Sequence, residues 1–359
     1  MRVLFCGGGT AGHVNPAIAV AETIMRNSYE NKVAYVVTSN GIENSLVDFK
    51  KYSIDVTGLK RSLSLKNVSF FVKQMKAIEK CKDIIKSFHP DVIFGTGGYA
   101  TFPVIYAGHK MGIKTVLHES NAIPGKAILA LEGKADSIFV NFTESREYFK
   151  NKDKVIHTGN PLRGSFTSYD KQRVRKDLGI TQRYVILCTG GSLGAERINN
   201  GVIEIIDNLI CERDDIFLVW SAGRNEYEKA IREMKRRNVY SENVLVKDYF
   251  SDISRYIAAS DLVISRAGAM TISELAFMKK ATIFIPSPNV TNNHQYINAK
   301  TLERAGAALL LEENRIYQLI DLVKRLLENE GQRAALEEEI GKYAKNDANK
   351  IIYNYLNNM

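Results

Sequence analysis

The fold of this chain is decided near its beginning by RVLFCGGGTAGHVNP, residues 2–16. The first five residues form an apolar run typical of a strand that is buried on both faces. Gly7–Gly12 follow with the G-x-G-x-x-G spacing of a tight phosphate-binding turn. Asn15 suits a helix N-cap, and Pro16 suits the first helical position. The stretch therefore predicts a strand, a glycine-rich turn and a helix whose N-terminus favours an anion.

This turn lacks a residue expected of a nicotinamide dinucleotide site. Such sites place an Asp or Glu at the end of the second strand, about 20 residues on, to hold the ribose. Here the second strand-like run, 33–37, ends in VVTSNG without an acid. His13 stands within the turn instead, and its ordinary pKa suits it to accept a proton near neutral pH. We expect His13 to point into a ligand-binding crevice, the alternative being a histidine that caps or packs locally.

Composition limits the classes of partner and of compartment. The 359 residues suit two domains, and the net charge of +9 allows nucleic acid, an anionic membrane surface or a phosphorylated small molecule. No helix-turn-helix, zinc or RRM signature appears, so nucleic acid is not expected. The four cysteines form no CxxC pair, which predicts neither zinc nor disulfides and favours a reducing compartment. No apolar stretch approaches the roughly 18 residues of a membrane-spanning helix.

Short apolar runs alternate with helix-like segments, which predicts βαβ units and parallel sheets in an α/β protein. The runs are 2–6, 33–37, 91–95, 114–118, 137–141, 154–158, 184–188, 216–220, 243–247, 261–265, 281–285 and 307–311. Because the series restarts near residue 184, we expect two doubly wound domains facing each other across a cleft, with a hinge at 157–165. The predicted domains are 1–160 and 161–341, with a C-terminal helix at about 342–359 packing back on the first.

Glycine-rich or polar segments follow several predicted strands, at the ends where open α/β sheets bind ligands. These segments are GTGGYATFP (95–103), HESNAIPG (118–125), TGGSLGA (189–195), SRAGAMTISELA (265–276) and NNHQYINA (292–299). The segment 189–195 repeats the phosphate-loop pattern but lacks the Gly-Lys-Ser/Thr ending of a P-loop ATPase. Each predicted sheet therefore has a candidate ligand site at its carboxyl edge.

Several residues in or near these segments suit phosphate, ribose or sugar contacts, and each also has a structural interpretation. Ser192 can cap a helix or donate to a phosphate, and Arg163 can reach a diphosphate or remain a solvated charge. Glu274 can accept hydrogen bonds from both hydroxyls of a ribose or satisfy its helix dipole. Gln295 offers a donor and an acceptor to sugar hydroxyls or lies on the surface. Glu119 ends a predicted strand at the same edge.

The segment LKRSLSLKNVSFFVKQMK, residues 59–76, carries five Lys or Arg and no acid, with aliphatic and aromatic side chains between them. A basic segment of this kind can lie on anionic lipid, each cation contributing roughly 1 kcal/mol near the surface. The alternative is an amphipathic helix packed on the core.

Seven segments together closely resemble the MurG family, the UDP-N-acetylglucosamine–N-acetylmuramyl-(pentapeptide) pyrophosphoryl-undecaprenol N-acetylglucosaminyltransferases. The segments are GGGTAGHVNPAIAVA, GTGGYATFPVIYA, HESNAIPGKA, GNPLR, TGGSLGA, SRAGAMTISELA and NNHQYINA, which follow the family's order and cover nearly the whole chain. The resemblance implies the GT-B glycosyltransferase fold of two Rossmann-like domains around a cleft. It also implies that the nucleotide sugar binds mainly the C-terminal domain, and that the lipid acceptor approaches the N-terminal, membrane-facing domain.

The same resemblance implies contacts for individual residues. His13 is implied as the base that takes the acceptor's proton, with Glu119 as the other candidate. Donor contacts are implied for Thr10, Ala11, Gly12, Asn121, Arg163, Ser192, Phe250, Gly268, Ala269, Met270, Thr271, Ile272, Ser273, Glu274, His294 and Gln295. Acceptor contacts are implied for Gly9, Thr10, Gly98 and Tyr99.

Within the donor set, the resemblance separates the parts of the nucleotide sugar. Asn121 would contact the N-acetylglucosamine, Glu274 the ribose, and the backbone near Phe250 the uracil. The family often has two glutamines where this chain has His294 and Gln295. Either of these two side chains therefore remains a candidate for reading the sugar hydroxyls.

The implied function is inverting transfer of N-acetylglucosamine from UDP-GlcNAc to the 4-hydroxyl of undecaprenyl-diphospho-N-acetylmuramoyl-pentapeptide (lipid I), giving lipid II for peptidoglycan. No cofactor or metal is expected, because helix N-termini, glycine amides and Arg163 can stabilise the departing UDP, and no DxD-like pair ends a strand. The alternatives are another GT-B enzyme, such as a lipid glucosyltransferase or a UDP-GlcNAc 2-epimerase, and a non-catalytic nucleotide-sugar or lipid-binding protein.

The expected location is the cytoplasmic face of the bacterial cell membrane, as a peripheral protein. The expected partners are UDP-GlcNAc, lipid I, an anionic membrane surface and other proteins of cell-wall synthesis and division.

Overall fold

The computed structural model divides the chain into two compact units, Met1–Gly164 with Lys345–Met359, and Ser165–Ala344. It describes residues 1–56, 66–167, 169–290 and 293–359, and for residues 66–72 it describes the backbone alone. The first part of the basic segment 59–76 therefore lies outside the described residues. The sequence analysis placed the two divisions after residues 160 and 341, and the structure has them after Gly164 and Ala344.

Each unit is built on one parallel sheet. In the first unit the strands are β1 Arg2–Cys6, β2 Lys32–Thr38, β3 Lys51–Ile54, β4 Val92–Gly95, β5 Lys114–Glu119, β6 Ser137–Val140 and β7 Val155–His157. In the second they are β8 Tyr184–Thr189, β9 Ile216–Ser221, β10 Val244–Lys247, β11 Leu262–Ser265, β12 Thr282–Phe284 and β13 Leu309–Leu310. The spatial orders are β3-β2-β1-β4-β5-β6-β7 and β10-β9-β8-β11-β12-β13. Both orders are those of a doubly wound fold, as predicted.

Helices connect the strands and cover the sheets. They are α1 Ala11–Asn27, α2 Glu43–Leu46, α3 Lys66–Phe88, α4 Thr101–Lys110, α5 Lys126–Leu131, α6 Lys171–Asp177, α7 Glu196–Ile205, α8 Tyr227–Arg237, α9 Ile253–Ala259, α10 Ala269–Phe277, α11 His294–Arg304, α12 Leu319–Glu328, α13 Glu330–Gly341 and α14 Ala348–Asn357. β1 shows why its sequence is apolar throughout: Leu4 and Cys6 pack towards α3 and α4, whereas Val3 and Phe5 pack towards α1 and α14. Burial on both faces therefore selects strands without polar alternation.

The edge strand β3 was missed by the sequence analysis. It pairs only with β2, with Tyr35 opposite Lys51, and within it only Ile54 is fully buried. An edge strand with one buried side chain shows neither the apolar run nor the alternation on which strand prediction depends.

The start of α1 was also predicted wrongly. The helix begins at Ala11, because the extended residue Thr10 already accepts hydrogen bonds at its carbonyl from the amides of His13 (3.1 Å) and Val14 (3.3 Å). Pro16 is consequently the sixth helical residue, where its missing N–H affects only the carbonyl of Gly12 near the helix start. His13 therefore lies in the first turn of the helix.

The helix α14 belongs to the first unit although it follows the second in the chain. Ile352 and Leu356 are buried in the core formed with α1. Tyr355 packs edge-on against Phe139, with ring centroids 5.1 Å apart, and its hydroxyl lies 2.6 Å from the Ser137 hydroxyl. These contacts close one face of the first sheet.

Candidate functional site

Both sheets have a switch point, where connections on the two sides leave in opposite directions and open a crevice at the carboxyl edge. In the first sheet it lies between β1 and β4, and in the second between β8 and β11. The segments leaving these strands are the glycine-rich ones found in the sequence. Each unit therefore has its own candidate site.

The loops after β1 and β4 are in direct contact. The amide of Gly8 donates to the carbonyl of Gly97 at 3.2 Å, and the Thr96 hydroxyl donates to the carbonyl of His13 at 2.6 Å. Gly98 has φ +79°, and a Cβ there would lie 2.1 Å from the carbonyl oxygen of Gly8. Only glycine fits this approach, so the two turns act as one rigid edge of the first site.

The side chain of His13 is oriented by the same edge. Its Nδ1 lies 3.0 Å from the carbonyl oxygen of Gly8 and 3.2 Å from the Thr10 hydroxyl. Because a carbonyl oxygen can only accept, the bond to Gly8 requires the proton on Nδ1, which leaves the Nε2 lone pair of the neutral ring as the acceptor. A Cβ at Gly97 would lie 3.3 Å from Nε2, so this side of the ring faces the loop after β4.

The predicted acceptor residues gather at the same edge. A Cβ at Gly9 would lie 3.1 Å from Cε1 of Tyr99, so the glycine turn packs against the tyrosine ring. Thr10 and Gly98 contact His13 and Gly8 as described above. The structure therefore brings together all four residues for which acceptor contacts were predicted.

Glu119, the other candidate base, organises the loop that follows β5. Its Oε1 accepts from the amide (2.8 Å) and the side-chain nitrogen (3.0 Å) of Asn121, and its Oε2 accepts from the amide of Gly125 at 2.8 Å. Burial raises the pKa of Glu119 despite these bonds. Both carboxylate oxygens are thus committed to holding Asn121 and the loop 121–125.

His118 precedes Glu119 in β5 and was not assigned a role by the sequence analysis. It is fully buried and stacks on Phe94, and its Nε2 lies 3.2 Å from the carbonyl oxygen of Gly159. Burial lowers its pKa to about 4, so the ring stays neutral. Its position inside an apolar strand gave no signal of this contact with the 157–165 segment.

Glu43 occupies the strand end at which the sequence showed no acid. It is fully buried, and its Oε1 accepts from the amide (2.9 Å) and hydroxyl (2.6 Å) of Thr38. A Cβ at Gly8 would lie 2.9 Å from the same oxygen. Because it comes from α2 and packs beneath the glycine turn, Glu43 gives no exposed carboxylate to a ribose, and the argument against a dinucleotide stands.

Arg163 is held away from the glycine turn of the first unit. Its guanidinium pairs with Glu22 on α1, with Nη2 3.2 Å from Oε1, and the amide of Gly164 donates to the other carboxylate oxygen at 3.3 Å. Glu22 lies roughly 16 Å along α1 from Ala11 at the usual helical rise. The Arg163 side chain remains 46% exposed.

In the second unit, the glycine turn after β8 is fixed by the turn after β9. A Cβ at Gly223 would lie 2.0 Å from Cα of Gly194, and the amide of Arg224 donates to the carbonyl of Ser192 at 3.1 Å. Asn199, which the sequence analysis missed, connects α7 to the end of β9. Its side chain donates to the carbonyl of Ala222 at 2.9 Å and accepts from the Trp220 indole at 3.0 Å. Ser192 is exposed in the glycine turn that precedes α7.

The segment after β11 forms the other side of this switch point. Gly268 is the N-cap of α10, and its carbonyl accepts from the amide of Ile272 at 2.9 Å. The amides of Ala269, Met270 and Thr271 are therefore in the first turn, where a helix favours an anion. The side chains of Ile272 and Ser273 are buried, and the Ser273 hydroxyl donates to the carbonyl of Ala269 at 3.1 Å, so their donor contacts stay a prediction.

Glu274 carries an unusual carboxyl group for its position. It is partly buried on α10, and its carboxylate makes no hydrogen bond or ion pair with any residue that the structure describes. Burial raises its pKa to about 8. A desolvated carboxylate without donors is a site for a ligand that brings its own hydroxyl groups.

The predicted sugar residues lie at the start of α11. The side-chain oxygen of Gln295 accepts from the amide of Ser287 at 2.9 Å, which ties α11 to the loop after β12. Asn298, one turn on, is buried and donates to the carbonyl of Ala267 at 3.3 Å. His294 occupies the first helical residue beside Gln295. Asn298 was missed because its role as a brace for the Ala267 loop depends on a contact between distant segments.

Phe250 and Arg266 complete the second edge. The Phe250 ring is buried and packs edge-on against Tyr256 with ring centroids 4.7 Å apart, so the predicted backbone contact with the uracil stays a prediction. Arg266 donates to the carbonyl of Ile285 at 3.0 Å and pairs with Glu313. These contacts connect the loops that follow β11, β12 and β13.

Two features are absent from the described part of the chain, a metal-ligand cluster and a membrane-spanning helix. No three His, Cys, Asp or Glu side chains among the described residues are grouped as metal ligands. No described helix is both long and apolar enough to cross a membrane.

Comparisons with known proteins agree with this architecture. The Glycosyltransferase family 28 N-terminal domain matches residues 3–140, and the Glycosyltransferase family 28 C-terminal domain matches residues 185–353. The UDP-N-acetylglucosamine–N-acetylmuramyl-(pentapeptide) pyrophosphoryl-undecaprenol N-acetylglucosamine transferase of Caldicellulosiruptor saccharolyticus is 38% identical over 349 residues, 96% of this chain and 93% of that protein. The Bacillus subtilis protein of the same name is 34% identical over 362 residues, 99% of both chains.

Solved structures share the fold. The crystal structure of Acinetobacter baumannii MurG superposes with a TM-score of 0.78 at 24% identity, covering 100% of this chain and 99% of that one. The UDP-GlcNAc 2-epimerase of Neisseria meningitidis bound to UDP-GlcNAc follows with a TM-score of 0.69 at 16% identity, covering 100% of both chains. At these identities the likeness concerns the GT-B fold alone.

Proposed function

We infer, since this chain belongs to the MurG family of UDP-N-acetylglucosamine–N-acetylmuramyl-(pentapeptide) pyrophosphoryl-undecaprenol N-acetylglucosamine transferases, that it transfers N-acetylglucosamine from UDP-GlcNAc to lipid I. The product is lipid II, the precursor of peptidoglycan. The observation that carries the proposed mechanism is the 3.0 Å contact between His13 Nδ1 and the Gly8 carbonyl oxygen, which makes Nε2 the nitrogen that would take the proton. We assign one substrate to each of the two edges described above.

His13 is the proposed base of the reaction. The 4-hydroxyl of the acceptor's muramoyl group attacks the anomeric carbon of the donor, and its proton goes to Nε2 of His13. The bond between that carbon and the diphosphate oxygen breaks, and its electron pair leaves with UDP, which inverts the configuration at the carbon. Glu119 is less suited to this role, because both of its oxygens already accept hydrogen bonds from its own loop.

The donor is proposed to bind at the switch point of the second unit. Ser192 and the first-turn amides of α10 would hold the diphosphate, and preoriented donors of this kind stabilise the charge that develops on the leaving group. Glu274 would accept from the ribose hydroxyls, and Gln295 would donate its side-chain amide to a sugar hydroxyl. The backbone at Phe250 would meet the uracil. With these donors the transfer is proposed to proceed without a metal.

The acceptor is proposed to bind at the edge formed by Gly9, Thr10, Gly98 and Tyr99. Asn121, positioned by Glu119, would contact the N-acetylglucosamine. Because the acceptor is anchored in a bilayer, we place the enzyme on the cytoplasmic face of the bacterial membrane, with the basic segment 59–76 and the net charge of +9 favouring anionic lipid. Association with other cell-wall and division proteins belongs to the same proposal.

The deciding experiment measures UDP release and sugar transfer with UDP-GlcNAc and lipid I presented in vesicles, with and without EDTA. We expect transfer that requires both substrates, persists in EDTA and is faster from anionic than from neutral vesicles. Loss of transfer in EDTA would contradict the metal-free mechanism. Conversion of UDP-GlcNAc to its 2-epimer without acceptor, or binding without UDP release, would contradict the assignment as a transferase.

Because of Glu274, we expect the affinity for the donor to rise with pH. With a pKa of about 8, the free carboxyl is mostly protonated at pH 7, whereas two ribose hydroxyls would donate to its ionised form. Binding therefore releases a proton, so the affinity for UDP-GlcNAc should rise by up to about tenfold per pH unit below pH 8 and level off above it. Titration calorimetry from pH 6 to 9, in two buffers of different ionisation enthalpy, measures both the affinity and the number of protons released on binding.

The matched variant for this prediction is Glu274→Gln, which keeps the shape but cannot titrate. Its affinity should be weaker than that of the wild type and flat across the range. A wild-type affinity that does not change with pH would rule out a protonated Glu274 in the free donor site.

A further inference from the structure

Arg224 carries a positive charge that no described residue neutralises. It lies in the turn after β9 and is exposed, and its guanidinium makes no hydrogen bond or ion pair within the described residues. Two other cations of this unit are paired, Lys229 with Glu196 and Arg266 with Glu313. A guanidinium that is not neutralised by any described residue and that lies beside a glycine-rich turn can bind an anionic ligand.

The backbone of Arg224 is fixed relative to the glycine turn after β8. Its amide donates to the carbonyl of Ser192 at 3.1 Å. The preceding Gly223 has φ +88° and fits against Gly194 so closely that a Cβ would lie 2.0 Å from Cα of Gly194. The turn that carries Arg224 therefore moves with the loop that the proposed function assigns to the diphosphate.

The side chain of Arg224 is held in place by Tyr249. Its Cζ lies 4.7 Å from the centroid of the Tyr249 ring, which is 43% exposed. The amide of Tyr249 donates to the Asp248 carboxylate at 2.8 Å, and the carbonyl of Asp248 accepts from the amide of Gly223 at 3.0 Å. A guanidinium stacked on an aromatic ring keeps its edge N–H groups available, and less rotamer freedom is lost when it binds an anion.

We propose that Arg224, held against Tyr249, binds the diphosphate of the uridine nucleotide donor. This inference rests on the proposed function, and it adds two residues that lie outside every motif by which the chain resembles its family. Arg163 of the first unit is paired with Glu22, whereas Arg224 would supply a positive charge to the diphosphate from the second unit. Tyr249 is a positioning residue that acts through Arg224.

The test compares the affinities of UDP and uridine, because only UDP carries the diphosphate. Arg224→Gln should lower the affinity for UDP by about 10-fold to 50-fold, which is the range expected for loss of a charge-assisted contact. The affinity for uridine should not change. Arg224→Lys should recover part of the loss, since it keeps the charge without the planar fork. The matched control is Lys235→Gln, which removes an equally exposed charge from α8 of the same unit and should bind both ligands like the wild type.

Tyr249 separates the stacking contribution from that of the charge. Tyr249→Phe keeps the ring, so its affinity for UDP should be close to that of the wild type. Tyr249→Leu removes the ring and should lower the affinity for UDP by about threefold to fivefold. Thermal midpoints should be unchanged for all these variants, because the exchanged side chains are at the surface. The UDP affinity of Arg224→Gln should also fall less steeply with salt than that of the wild type.

Three outcomes would overturn the inference. If Arg224→Gln binds UDP like the wild type, Arg224 does not contact the diphosphate, although the proposed function survives. If UDP and uridine weaken equally, Arg224 shapes the base site instead. If the wild type binds neither UDP nor UDP-GlcNAc, the proposed function fails together with the inference.

Discussion

Replacing His13 by alanine is expected to lower kcat about 10³-fold while the dissociation constant for UDP-GlcNAc stays within about twofold. The reason is that Nε2 would act only on the acceptor's proton, whereas the nucleotide part of the donor is proposed to bind in the second unit. The measurement is steady-state transfer to a lipid I analogue, with donor affinity determined separately by calorimetry. The profile of rate against pH should also lose the fall at low pH that protonation of the base causes, because the imidazole of His13 is gone.

The control for this substitution is His109→Ala, which removes an exposed histidine from α4 of the same unit and should leave turnover unchanged. Near-normal turnover of His13→Ala would contradict the assignment of His13 as the base and leave Glu119 as the candidate. Glu119→Gln would then have to abolish turnover without disturbing its loop. We expect instead that it lowers the thermal midpoint and turnover together, since Gln cannot accept all three hydrogen bonds made by Glu119.

The second large effect is expected from Gly98→Ala. A Cβ at this position would lie 2.1 Å from the Gly8 carbonyl oxygen, the atom that also accepts from His13. The backbone of one of the two turns must therefore move. The clash and the strain of φ +79° together should lower the free energy of unfolding by about 3 kcal/mol or more. Turnover should fall at least about 100-fold, because the shift displaces the partner that orients the base.

Gly112→Ala separates the clash from the backbone strain. Gly112 has φ +74°, nearly that of Gly98, but a Cβ there would meet nothing within 4 Å. Calorimetry should show a midpoint lowered by about 2–4 °C for Gly112→Ala and by at least twice as much for Gly98→Ala. Only Gly98→Ala should lose activity. Equal effects of the two substitutions would show that the contact between the two turns is not rigid.

The elements that could be predicted from the sequence were those in which local chemistry and global packing agree. β1 is buried on both faces and is followed by glycines that a tight turn requires, so its pattern was unambiguous. β3 could not be predicted, because an edge strand with one buried residue has no periodicity. The start of α1 was misplaced, because Asn15 and Pro16 carry capping preferences that the Thr10 carbonyl overrides.

The site showed the same division. Residues that would face a ligand from glycine-rich segments, such as His13 and Glu274, were recognisable by their types and positions. Residues that act by holding other residues were not, because their contacts join segments far apart in sequence: Asn199 reaches Ala222, and Asn298 reaches Ala267. Arg224 could not be recognised either, since its lack of an ion-pair partner among the described residues is known only once its neighbours are placed.

The position of α14 has a consequence for how the chain acquires its structure during synthesis. Phe139 and the neighbouring face of the first sheet are covered by Tyr355, Ile352 and Leu356, which the ribosome adds about 200 residues after Phe139. The second unit, Ser165–Ala344, is continuous and is complete before α14 has emerged. The first unit therefore begins to fold earlier but finishes later, and its uncovered face is the surface of the nascent chain most in need of protection from aggregation.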